Sequence, residues 1–143
     1  MSLNLEFKKS KLIKEMKRRN YTNFELVDEK EDMISYASYE GIAQWTCIVV
    51  FTLGITTDLI YFYLGPLDDN VEKKSIIKML NICNSKNPIL TFYLDEDNTI
   101  IARTTYISNE FDAKEYLDQS SSSFAILREF CPQIMPFVTT LNV

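Results

Sequence analysis

The stretch from Ile89 to Ser108 limits the folding choices of this chain more than any other. It contains two arms rich in β-branched and aromatic residues, which suit a pleated, half-buried surface. The join between them, Asp95-Glu96-Asp97-Asn98, is polar. Asp and Asn hydrogen-bond their own backbone and tolerate positive φ, so a tight turn is predicted there. The hairpin lies between two helical patterns, which are expected to fold back over it.

The rest of the chain reads around that hairpin. Residues 4–19 have helical spacing, with Leu5, Leu12 and Met16 on one stripe and Ile13 beside it. Phe7 falls on the basic side and breaks the pattern. Strands follow at Phe24–Val27 and Met33–Tyr39, joined by the charged turn Asp28–Asp32. In the second strand Ile34, Tyr36 and Ser38 share one face, and Met33, Ser35, Ala37 and Tyr39 share the other. Glu40-Gly41 is expected to end it. Gln44–Leu53 is the most continuously apolar strand, which suits a central position covered on both faces. Gly54 and Thr56-Thr57-Asp58 mark the next turn. Leu59–Leu64 follows, with Gly65-Pro66 as its stop.

Asp69 and Glu72 have capping-box spacing and predict a helix through Val71, Ile76, Ile77, Leu80 and Cys83, ended by Asn84–Pro88. A last helix is expected from Ser108 or Asn109, with Pro132 kinking or interrupting it near residue 131. Short turns between consecutive strands imply antiparallel pairing. The fold class is therefore α+β: one two-layer domain over residues 1–143, with helices on one face of an antiparallel sheet. Its element order is α-β-β-β-β-α-β-β-α.

Composition supports a packed core. The apolar fraction is 46%, and one Trp, eight Tyr and nine Phe would be costly to expose together. Most of these aromatics are expected in the core. Net charge is −5 but uneven. Residues 1–19 carry Lys8, Lys9, Lys11, Lys14, Lys17, Arg18 and Arg19 against Glu6 and Glu15, and the remainder is acidic. An acidic body repels nucleic acid. Cys47, Cys83 and Cys131 are odd in number and lie in apolar stretches, so they read as reduced core residues of a cytoplasmic protein. The charged N-terminus shows no secretory pattern, and the apolar run Trp45–Ile55 is too short to cross a bilayer.

Signals for chemistry are absent. The chain has no histidine, which removes the usual neutral-pH base and the commonest transition-metal ligand. Its three glycines are isolated, so neither a Walker loop nor a dinucleotide fingerprint exists. No Cys-x-x-Cys occurs. An EF-hand loop starting at Asp95 would need glycine sixth and glutamate twelfth, where the chain has Ile100 and Tyr106. Ser120–Ser123 has no histidine to activate it, leaving lysine as the base in principle, and reads as a close-packing helix surface or a flexible joint. No catalytic, cofactor-binding or metal-ligating residue is assigned, and no cofactor is expected.

With these elements in place, the chain resembles the YbjN family of bacterial sensory transduction regulators. Phe24–Tyr39 is similar to that family's first strand pair. Tyr93-Leu94-Asp95-Glu96-Asp97-Asn98 resembles its Tyr-Leu-Asp-Glu-Asp-Gly turn, and Asn81 resembles the asparagine of its Trp-Asn pair. The likeness covers residues 12–138, with Leu80 in place of the tryptophan and Asn98 in place of the glycine. It implies a fold like that of type III secretion chaperones, which are small acidic dimers that bind other proteins. The expectation is a non-enzymatic, homodimeric protein-interaction module, with the middle helix and the exposed sheet as its surfaces. Two alternatives are a small enzyme using carboxylate, lysine or tyrosine chemistry, and a membrane-surface adaptor acting through the basic helix at 4–19.

Overall fold

A computed structural model describes residues 2–139. The chain forms helix α1 (Leu3–Arg18), strands β1 (Glu25–Glu29), β2 (Met33–Ile42), β3 (Trp45–Gly54) and β4 (Asp58–Pro66), helix α2 (Lys73–Ser85), strands β5 (Thr91–Leu94) and β6 (Thr99–Tyr106), and helix α3 (Ala113–Ile134). A 3-10 turn, Met135–Phe137, follows. The expected order and α+β class both hold. All strands pair antiparallel in one six-stranded sheet, ordered β1-β2-β3-β4-β6-β5.

The three helices share one face of this sheet. The core between them is built from alternate strand residues: Ile34 and Tyr36, Cys47 through Leu53, Ile60 and Phe62, Phe92, Ile100 and Ala102. Tyr116 of α3 is fully buried, packs edge-on against Phe51 at 5.6 Å and donates its hydroxyl to the Leu59 carbonyl at 2.6 Å.

The buried stripe of α1 is Leu5, Lys8, Leu12 and Met16. Lys8 is one of the basic residues of this helix, outside the Leu5–Leu12–Met16 stripe expected from spacing. It instead occupies the core-facing position between Leu5 and Leu12. Its ammonium donates to both oxygens of Asp58, at 2.9 and 3.1 Å, and to the Gly54 carbonyl at 2.8 Å. The three contacts use all three N–H donors of a lysine. Asp58 also accepts from the Gly54 N–H at 3.2 Å, so it ties down the β3–β4 turn from within the strand. Gly54 is required there, because a Cβ would lie 2.5 Å from the Thr57 carbonyl oxygen.

A second link joins α1 to α3. Arg18 and Arg19 both donate to Glu15, and Arg19 reaches Asp118 at 2.7 Å. The hydrogen bond from Arg18, reinforced by Arg19, holds the Glu15 carboxyl down at about 2.

Several boundaries differ from the sequence reading. Strand β2 continues through Gly41 to Ile42, and the turn falls at Ala43-Gln44, with Ala43 at φ 53°. Strand β4 runs on through Gly65-Pro66, because a bulge between Tyr63 and Gly65 absorbs the irregularity and Gly65 takes φ 132°. Asp69 caps nothing. Helix α2 begins after Glu72, which makes no side-chain cap bond, and Asp68 instead accepts from the Asn70 N–H. Ile77, placed on the inner stripe from spacing, is exposed.

Helix α3 starts at Ala113, where Asp112 accepts from the Glu115 N–H. Pro132 does not interrupt it. The carbonyl that its missing N–H leaves without the usual helical partner belongs to Arg128, an exposed residue. The serine run is a packed helix surface, with Ser120 and Ser123 buried.

Removing one partner of a buried ion pair strands the other. Lys8→Met should therefore lose about 3 kcal/mol in urea unfolding, and Asp58→Leu added to it should return most of the loss. The Glu15 carboxyl is depressed in the folded state, so its stabilisation is present above the ordinary value near 4.5 and fades toward 2. Wild type should exceed Glu15→Gln in urea midpoint at pH 6, and the difference should vanish as pH falls through that window.

Candidate functional site: the open sheet face

Strand β3 was expected to be covered on both sides. Cys47, Val49, Phe51 and Leu53 are buried, whereas Thr46, Ile48, Val50 and Thr52 are only half-buried. Helix α1 and Tyr116 of α3 pack over the first set, α2 packs against β5 and α3, and among the described residues no helix covers the second set. The continuously apolar run therefore marks a central strand with one apolar face left open.

Register across the sheet turns that face into rows. Tyr39 opposes Ile48, Ile48 opposes Tyr63, Tyr63 opposes Ile101 and Ile101 opposes Tyr93. The result is a Tyr-Ile-Tyr-Ile-Tyr ladder across β2, β3, β4, β6 and β5. The next row is Ala37, Val50, Tyr61, Arg103 and Thr91. A third runs Ser35, Thr52, Leu59 and Thr105, and in it the Ser35 and Thr52 hydroxyls share a hydrogen bond at 2.9 Å.

The ladder is tightly built. Ile101 is 3% exposed although no helix lies over it. Its cross-strand neighbours Tyr63 and Tyr93 flank it. The Tyr61 and Tyr63 rings sit 6.0 Å apart, and the Arg103 guanidinium lies 5.5 Å from the centre of the Tyr93 ring. Partial burial pushes the Tyr63 and Tyr93 hydroxyls above their ordinary value, so both are neutral donors near pH 7. The groove over this face has a volume of about 600 Å³ and is bounded by Asp28 and Asp95.

The aromatics thus divide in a way the sequence reading missed. Tyr36, Tyr106 and Tyr116 are core residues, as expected, while Tyr39, Tyr61, Tyr63 and Tyr93 stand on the open face. The signal was present in the alternation of β4, where Tyr61 and Tyr63 alternate with Ile60, Phe62 and Leu64. Helix α2, the other expected surface, exposes Ile77 and Ile82 at 42% and 45%. Asn81 on it is also exposed.

The two sheet edges differ. At β5, Asn84 of α2 acts as a substitute strand: its side-chain amide donates to the Phe92 carbonyl at 2.9 Å and accepts from the Phe92 N–H at 2.7 Å. At β1 a bulge between Leu26 and Asp28 and a charged sequence blunt the edge.

Other residues weighed for chemistry are placed as follows. The turn carboxylates Glu96 and Asp97 are exposed, while Asp95 accepts from the Asp97 and Thr99 N–H groups and so shapes the turn, with Asn98 at φ 60°. Cys47, Cys83 and Cys131 are buried and free. Burial pushes the Cys47 thiol up to about 12 and Cys131 to about 11, which keeps both protonated and unreactive. Among the described residues, no three acidic, Cys or His groups gather as metal ligands would. Lys8 and Asp58 form the buried amine–carboxylate pair among the described residues, but the ammonium is already engaged by Asp58 and the Gly54 carbonyl. No helix among the described residues is long and apolar enough to cross a membrane. The apolar stripe of α1 is spent on the core, leaving Leu3 and Phe7 as its outward apolar groups.

No family model, curated protein or solved structure matches the chain.

Asn84→Ala removes both partners of the Phe92 backbone. The variant should lose about 1–3 kcal/mol, and the Phe92 amide should exchange with solvent faster than its neighbours in β6.

Proposed function

We propose that this chain is a non-enzymatic protein-interaction module of the cytoplasm, of the YbjN or secretion-chaperone type, acting as a homodimer. The observation that carries the reading is the uncovered ladder Tyr39-Ile48-Tyr63-Ile101-Tyr93. Tyrosine suits such a role, because its ring supplies apolar contact area and its hydroxyl remains content in water when the partner leaves. Arg103 beside the ladder and Asp28 and Asp95 at its rim supply charges of both signs. Two copies related by a two-fold axis could oppose these charges across the interface.

The alternatives have less support. Lys8 is saturated with hydrogen bonds and is poorly placed to move a proton. The apolar face of α1 is turned inward, which leaves a membrane little to hold.

Light scattering after gel filtration tests the reading. A dimer is expected at high micromolar concentration. Tyr63→Asp, at the centre of the ladder, should weaken it by tenfold or more, equivalent to about 1.4 kcal/mol. Tyr39→Lys, at an already exposed position, should weaken it without touching the core. A wild-type chain that stays strictly monomeric removes the homodimer, and a dimer indifferent to both substitutions removes this face as its interface.

A further inference from the structure

The helix layer is incomplete at one corner. After α1 the chain turns at Asn20, which takes φ 59°, and passes over the sheet as the segment Tyr21–Phe24. Between this segment and α3 lies a cleft of about 360 Å³. It falls within the size range of small-molecule sites.

Its walls are defined by a few residues. Phe24 stacks on Phe51 of β3 with centroids 4.4 Å apart and planes 12° from parallel, and Tyr21 stacks on Phe24 at 5.9 Å. Phe124 of α3 lines the other side. Ser120 and Ser121, also lining it, are too small to fill the space that a leucine at either position would occupy. The serine run thus helps leave room in the layer.

One lining group carries charge. Glu40 of β2 lies on the strand face that carries Ile34, Tyr36 and Ile42 into the core. Glu40 is only partly buried, so its carboxylate stays within reach of a ligand in the cleft. Glu40 accepts a hydrogen bond from Ser38 at 2.9 Å, which orients it, and it forms no ion pair among the described residues. The nearby guanidinium of Arg128 lies over the Phe124 ring and does not line the cleft.

We infer that this cleft binds a small organic cation, an amine on an aromatic or aliphatic body, with Glu40 receiving the amine and the Tyr21–Phe24–Phe51 stack and Phe124 enclosing the body. The charge of Glu40 sets the sign of the ligand. The volume accommodates one ring and a short chain. This site is separate from the open sheet face, since Val49 and Phe51 at its floor belong to the opposite side of β3.

Backbone amide NMR shifts during titration with 2-phenylethylammonium test the assignment, with 2-phenylethanol as the neutral control and 3-phenylpropionate as the anion. Saturable shifts at Tyr21, Phe24 and Ser121 are expected with the cation. Binding of the alcohol should be at least tenfold weaker, and the anion should not bind. Glu40→Gln should remove the preference for the cation. Ser121→Leu, at an exposed helix position that keeps the fold, should fill the cleft and abolish the shifts. No saturable shifts with the cation at millimolar concentration, equal binding of cation and alcohol, or binding unchanged in both variants would each overturn the assignment.

Discussion

One-sided cover of the sheet governs this molecule. Six antiparallel strands present two faces, and three helices suffice for one. Strand alternation sends Cys47, Val49, Phe51 and Leu53 under the helices and leaves Ile48 and Val50 on the other side. A sheet face holding those residues together with Tyr61, Tyr63, Tyr93 and Ile101 has to be solvated or docked. The tyrosines are the compromise: they flank Ile101, which is buried, and each joins an apolar ring to a polar hydroxyl that suits water or a partner.

The helix layer is held in place by polar contacts as well as by the core. Lys8 carries a charge into the apolar stripe of α1 and discharges it on Asp58 and Gly54 at the β3–β4 turn. An aliphatic residue at that position could bury as much surface, but it would fit at many registers. A lysine whose three donors all have partners fits at one. Glu15, Arg19 and Asp118 extend the same logic to the α1–α3 junction. Where such fixing is missing, beside the small side chains of Ser120 and Ser121, the layer opens into a cleft with Glu40 on its wall.

Local chemistry made much of this legible beforehand. The acidic turn Asp95–Asn98, the alternation of Met33–Tyr39 and the Leu5–Leu12–Met16 stripe all follow from short-range preferences, and all are present. The misplaced breaks share one cause. Gly41, Gly65, Pro66 and Pro132 have the composition of breaks, yet pairing across the sheet or the exposure of the residue whose carbonyl is freed carries the element past each of them. Asp69 and Glu72 have the spacing of a capping box, yet the chain is still turning there, with Asp68 bonded to Asn70.

Sequence alone determined the element types, their order and the antiparallel sense, because periodicity and turn chemistry act over a few residues. It also excluded histidine chemistry, since the residue is missing. Tertiary structure decided what depends on distant partners: that β6 inserts between β4 and β5, that Asn84 closes one sheet edge, and that Lys8 is buried. It also decided which tyrosines face the core and which form a ladder. Those outcomes rest on register between strands far apart in the chain, and no local pattern encodes it.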